Sequence, residues 1–264
     1  MPVISLHDRA ELARRLRRDP DLHIYELGDL DAFFWPHTTW YGTEGGDATV
    51  LIYGGFVPAT VLALSRPDGD AELRQLLTDV LPLLPRRFYG HITGGAEAVL
   101  AAEYAAENAE HAGPHLKLAL TDPAALDLAP ETDKAEPLTV ADLGAVQELY
   151  AASYPGNWFD PRMLATGQYV GVRRDGDLVA VAGVHVYSPA QRVAALGNVT
   201  TRPDLRGSGL ATAAVTGLCR QLLASVDHIG LNVKSDNVAA INLYHRLGFT
   251  TAAEYTEAGF TAVR

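Results

Sequence analysis

The chain has a single cysteine, no long apolar run and fewer cations than anions. Each shortage removes a class of protein. The lone Cys219 cannot close an internal disulfide, and it reads as a small buried hydrophobe rather than a nucleophile. No apolar stretch approaches the roughly 20 residues that a membrane-spanning helix needs. The opening MPVISLHDRAELARRLRR lacks the apolar core of a signal peptide, so a cytoplasmic location is expected. A net charge of −11 argues against a nucleic-acid partner. Residues 1–130 carry 10 Lys and Arg against 19 Asp and Glu, and residues 131–264 carry 11 against 13. An acidic first half either steers a cationic acceptor or serves solubility alone.

No metal is expected either. Of the nine histidines, His111 and His115 come nearest to ligand spacing, but Gly113 and Pro114 between them break any helix that would put both on one face. What remains, 48% hydrophobic and 20% charged over 264 residues, is an ordinary globular composition long enough for one or two domains.

The informative stretch is Gly197 to Ala214, GNVTTRPDLRGSGLATAA, which reads as a strand, a turn and a helix start. A helix N-terminus has unpaired N–H groups and a partial positive charge, and glycines there let the backbone close around a phosphate. Arg206, Gly207, Ser208, Gly209, Leu210 and Ala211 supply that loop, with the Arg206 cation and the Thr212 hydroxyl beside it. The spacing fits neither a nucleotide P-loop nor the dinucleotide G-x-G-x-x-G. A second block follows: Leu231-Asn232-Val233, Asp236-Asn237, Ala240, Tyr244 and Gly248-Phe249.

Arg206 to Ala211 resembles the Q/R-x-x-G-x-G/A signature of the GNAT superfamily of acyl-CoA acyltransferases, whose loop holds the pyrophosphate of coenzyme A. The second block resembles the last strand and helix of that family. The resemblance implies a mixed, mostly antiparallel sheet flanked by helices, an α/β (α+β) fold. It implies acetyl-CoA as acyl donor, backbone contacts at Val199, Thr200 and Thr201 for the pantetheine arm, and Asn237 and Ala240 beside the cofactor. Tyr244 stands where the family's general acid stands, and backbone N–H groups near Asn232 would polarise the thioester carbonyl. Many relatives carry a carboxylate base on the strand before the loop, but Val193 to Thr201 has none. His185, on the neighbouring strand, is the substitute considered. A histidine satisfied within the sheet and an ordered water chain are the alternatives.

Earlier in the chain, residues 5–18 read as an amphipathic helix with solvated arginines. The segment from Leu22 to Tyr41 is dense in aromatics. Trp35 and Trp40 suit packing, whereas Asp29 and Asp31 suggest a place near a cationic acceptor. Strands at 49–53 and 60–65, a helix at 71–84, a strand at 87–92, a helix at 97–109 and a strand at 115–120 repeat the latter part of the GNAT layout. Gly94-Gly95 is taken as the matching glycine turn, without an arginine, so this half is not expected to bind coenzyme A.

The domain expectation is a degenerate GNAT-like half at 1–125, a proline-rich linker at 126–137 and a catalytic domain at 138–264. In the second half, helices are expected at 139–153, 161–165, 213–223 and 238–247. Strands are expected at 169–174, 178–187, 193–201, 229–233 and 250–255. By family resemblance Tyr154, Asn157 and Trp158 border the acceptor, with simple loop packing as the alternative. The activity implied is transfer of an acetyl group to the amine of a small molecule or amino acid. A distant similarity to glycine N-acyltransferase-like domains supports a small acceptor. A protein N-terminal or lysine acceptor, and a non-catalytic acyl-CoA sensor, are the competing readings.

Overall fold

The computed structural model describes residues 2–107, 112–129 and 134–263. His111 and residues 130–133 of the expected linker lie outside the described residues. The chain divides into two compact units, and the cut is not linear. The first takes residues 1–117, 233–236 and 251–264, and the second takes 118–232 and 237–250.

In the first unit, β1 (Val3–Ser5), β2 (Thr38–Thr43), β3 (Thr49–Tyr53) and β4 (Ala59–Ala63) form an antiparallel series. Helix α1 (Arg9–Leu16) and helix α2 (Ile24–Gly28) lie between β1 and β2, and α3 (Asp70–Val80) leads from β4 to β5 (Arg87–Ile92). Strand β5 runs parallel to β4 from Ala59↔Phe88 to Ala63↔Ile92. Helix α4 (Glu97–Leu100), β6 (Tyr104–Glu107) and β7 (Gly113–Leu120) follow. Leu73, Leu76, Leu77 and Val80 recur at helical spacing on α3 and bury against Val50, Val61, Phe88, Ile92 and Phe260. Truncating one of these leucines to alanine costs about 2–5 kcal/mol.

The second unit contains β8 (Ala135–Pro137), α5 (Leu143–Ser153), β9 (Val170–Arg174), β10 (Asp177–Ser188), β11 (Val193–Thr201), α6 (Leu210–Leu222), all but the last two residues of β12 (His228–Lys234), and α7 (Val238–Arg246). Strands β8 to β11 pair antiparallel and β12 pairs parallel to β11. Thr139 and Asp142 form a capping box ahead of α5. Asp175 and Gly176 turn the β9–β10 hairpin with φ of 52° and 91°, as an Asp-Gly turn requires.

Several expectations need correction. The helix expected at 97–109 stops at Leu100, and the alanine-rich residues beyond it enter β6. Helix propensity there yields to pairing with β13 (Phe249–Ala262). The first helix starts at Arg9, and Arg15 is buried, donating to Glu11 and to the Thr43 carbonyl. The last strand runs to Ala262 rather than stopping at 255, and Thr256 to Thr261 pair with β5 in the first unit. The expected linker at 126–137 takes in the end of a 3-10 helix at Pro123–Leu128 and strand β8. Among the described residues no helix is long and apolar enough to cross a membrane.

Both units repeat one order: two antiparallel strands, a loop, a helix and a parallel strand. The order is β3-β4-α3-β5 in the first and β10-β11-α6-β12 in the second. Ser65-Arg66-Pro67-Asp68 follows β4 where Thr201-Arg202-Pro203-Asp204 ends β11. The counterpart of the glycine loop is therefore the segment before α3. Gly94-Gly95 follows β5 instead, which corrects its assignment as the matching turn.

Candidate active site

Strand β11 is irregular where it matters. Pairing with β10 passes from Gly183↔Gly197 to Val181↔Thr200, so β11 carries one extra residue there. Asn198 takes it up with φ of 55°, a left-handed conformation rarely held outside glycine. The Tyr150 hydroxyl on α5 donates to the Asn198 carbonyl at 2.8 Å, and Asn198 Nδ2 donates to the Tyr169 hydroxyl at 3.1 Å. The parallel ladder with β12 ends at Leu196↔Leu231, although β11 runs on to Thr201 and β12 to Lys234. Val199 is half-buried, and Thr200 and Thr201 are buried; Thr200 also donates to Ser153 Oγ at 3.0 Å.

The loop after β11 opens α6. Gly207 and Gly209 hold φ of 78° and 88°, and Gly209 is the residue before the helix, with no capping side chain. Leu210, Ala211 and Thr212 occupy the first turn, where N–H groups have no partner within the helix. Ala213 N–H is the first to bond back, to the Gly209 carbonyl at 3.0 Å. Ser208 Oγ donates to the Leu205 carbonyl and tightens the loop from within. Arg206 is exposed, and one Nη2 hydrogen bond of 3.1 Å to the Ser153 carbonyl holds it at the C-terminal end of α5.

Tyr244 is buried on α7, edge-on to Phe249 with ring centroids 5.6 Å apart. Burial pushes its phenol well above the usual tyrosine value, with Cys219 and Tyr154 adding to the shift, so the phenol keeps its proton at neutral pH. Burial also pushes the Cys219 thiol up to about 12, which agrees with the inert role expected of it. Asn237 caps α7, accepting from the Ala240 N–H at 3.2 Å. Asn232 and Ala240 are half-buried.

His185 lies at a second irregularity, between the pairs Val184↔Leu196 and Val186↔Ala195. Its ring covers Gly197 so closely that a Cβ at 197 would fall 2.2 Å from the ring. Asn157 is occupied with loop building, since its side chain bonds both the Tyr154 carbonyl and the Phe159 N–H. Trp158 is 51% exposed.

The C-terminal turn of α5 thus joins two of these parts: Tyr150 to the irregular strand, and Ser153 to Thr200 and Arg206. Sequence reasoning missed Tyr150, Ser153 and Asn198. The only signal for Asn198 is an asparagine in a β-branched run, a residue that tolerates the left-handed region.

The corresponding place in the first unit is closed. Strands β4 and β5 stay paired along the whole of β4, and the Thr93 N–H continues the pairing to the Ala63 carbonyl. Asp70, the first residue of α3, accepts from Ser65 Oγ at 2.6 Å, and its carboxylate lies where a side chain at Gly94 would collide with it. A carboxylate of the chain itself occupies this helix start.

Residues 142–249 match the family model described as the Acetyltransferase (GNAT) family. This region is a GNAT domain. A mycothiol acetyltransferase of Streptomyces griseus is 32% identical over 95 residues, 36% of this chain and 29% of that protein. The matched region thus spans less than a third of that curated relative. The GNAT fold extends beyond the domain: a GCN5-related N-acetyltransferase from Sphaerobacter thermophilus is 15% identical over 99% of this chain and 96% of its own, with a TM-score of 0.59. A tandem GNAT protein from the clavulanic acid biosynthesis pathway is 16% identical over 97% of each chain, with a TM-score of 0.53. The fold of this chain is accordingly two GNAT-like units in tandem, with the family match in the second. Among the described residues no group of three or more His, Cys, Asp or Glu is placed to hold a metal ion.

Proposed function

We propose that the GNAT domain transfers an acetyl group from acetyl-CoA to the amine of a small molecule. The observation that carries this reading is the helix start at Gly209, opened by two left-handed glycines, with Arg206 held beside it by Ser153. Backbone N–H groups from Gly207 to Thr212 and the Arg206 cation would take the pyrophosphate. Beyond Leu196, Val199, Thr200 and Thr201 offer backbone to the pantetheine arm, and Asn237 and Ala240 flank it. A neutral amine attacks the thioester carbon, an N–C bond forms and the C–S bond breaks. Tyr244 protonates the departing thiolate, His185 takes the proton from the amine, and N–H groups near Asn232 stabilise the oxyanion. The mycothiol acetyltransferase relative supports a small acceptor over a protein one.

The reading is tested by release of free coenzyme A thiol from acetyl-CoA in the presence of pooled amines, amino acids and polyamines. Acceptor-dependent release is expected, with Tyr244→Phe lowering it by at least tenfold and Arg206→Glu weakening coenzyme A binding by at least tenfold. Binding without release in any pool would leave a sensor or a protein acceptor in its place. Undiminished binding by Arg206→Glu would remove the assignment of the loop.

A further inference from the structure

On β5 and β13 one sheet face is apolar and the other carries polar and titratable groups. Phe88, Ile92 and Phe260 point into the α3 core, and the alternate positions carry Tyr89 and His91 on β5 and Tyr255 and Glu257 on β13. Strand β7 adds His115 and Lys117, and α2 brings Tyr25, Glu26 and Asp29, with His23 at its start. Glu26, Asp29, His115, Lys117 and Glu257 are all buried, an expensive composition for a unit whose helix start is closed.

These groups form one network. The Tyr89 hydroxyl donates to Glu257 Oε2 at 2.8 Å and the Tyr255 hydroxyl to Oε1, while His91 and His115 stand 3.7 and 3.8 Å from the same carboxylate. The Lys117 ammonium is 4.7 Å from the centre of the Tyr25 ring and 5.5 Å from that of Tyr255. His23 Nδ1 holds Glu26 Oε1 at 3.0 Å. The network is nevertheless unfinished. Glu26 Oε2 and His91 Nδ1 are buried without a hydrogen-bond partner, although Glu26 is only 2% exposed. A buried polar atom left unpaired calls for a partner. Glu26 Oε2 is a carboxylate oxygen, so the partner it lacks is a donor. His23, Tyr25, Tyr89 and His91 are half-buried, so part of the cluster meets solvent.

We propose that this face is a second ligand site, for a small molecule carrying an ammonium group flanked by hydroxyls. The ammonium would be received by Glu26 Oε2 and His91 Nδ1, and the hydroxyls by Asp29 and the tyrosine hydroxyls. The site belongs to the first unit and does not depend on the transferase reading.

The test is titration of the full chain with 2-aminopropane-1,3-diol and with glycerol, which differ only in an ammonium replacing a hydroxyl. Saturable binding of the aminodiol is expected, with glycerol at least tenfold weaker. Glu26→Gln, which keeps the size and removes the charge, should weaken the aminodiol by at least tenfold and leave coenzyme A affinity within twofold. Equal responses to the two probes, no response to either as a buried water alone would give, or an aminodiol affinity unaltered in Glu26→Gln would each overturn the proposal. Should Glu26→Gln fail to fold, the comparison of the two probes on the unaltered chain decides.

Discussion

The Tyr150 hydroxyl and the Asn198 carbonyl, 48 residues apart, meet in a 2.8 Å hydrogen bond that ties α5 to the irregular turn of β11. Asn198 holds a left-handed backbone there, so the bond stabilises a conformation the strand would not adopt unaided. Everything proposed for the pantetheine arm lies just beyond this point.

Tyr150→Phe keeps the ring against Phe159, whose centroid is 5.1 Å away, and removes only the hydroxyl. A buried carbonyl left without its donor costs about 1–3 kcal/mol, which urea unfolding would register. Coenzyme A affinity, followed by calorimetry, should fall at least threefold. An unaltered affinity would mean that the strand keeps its shape without the tether.

Gly197→Ala places a methyl group in the space of the His185 ring. Acceptor turnover should fall at least tenfold in this variant and in His185→Gln, while coenzyme A affinity changes less than threefold. Equal losses in turnover and affinity would show that the ring packs and does not transfer a proton.

Calorimetry with coenzyme A should give one site per chain. Asp70 stands at the first unit's helix start, and β4 and β5 leave no gap between them. A second site surviving in Arg206→Glu would contradict this.

Stability should decline in two stages as pH falls. Burial lowers the pKa of His91 below its ordinary 6.5, so its contribution is full above 6.5 and is lost as pH drops toward its folded value. Burial alone would raise Glu26 and Glu257, but the histidines beside them hold both below the ordinary 4.5, so their contribution persists to lower pH before it too is lost. Asp29 runs the other way: burial and Glu26 raise its pKa, and its contribution is lost as pH rises through the folded value. Urea midpoints followed from pH 8 down to about pH 3 should show both stages, and His91→Gln should remove the first.

The second unit was legible because its signals are local. The Asp-Gly turn, the Thr139 cap, strand 193–201 and the glycine loop each depend on residues adjacent in sequence, and the strand and the loop stand where expected. What stayed hidden depends on pairing across the chain. Nothing near Tyr104 announces that an alanine-rich stretch will pair with β13, and nothing near Thr256 announces that the last strand belongs with β5. The buried charges were equally silent: Asp29 stood out among aromatics, but Glu26, Lys117 and Glu257 look like surface residues until the sheet brings them together. The Arg-Pro-Asp repeat at 66–68 and 202–204 was readable and would have located the degenerate loop.

Strand β13 also sets an order on biosynthesis. Ile92 pairs with Thr256, 164 positions later, so the first unit leaves the ribosome without the strand that completes its sheet. At about 5–20 residues per second, that edge waits roughly 10–30 s for its partner, a window for chaperones to bind or for the edge to pair wrongly. The half of the protein made first is the half finished last.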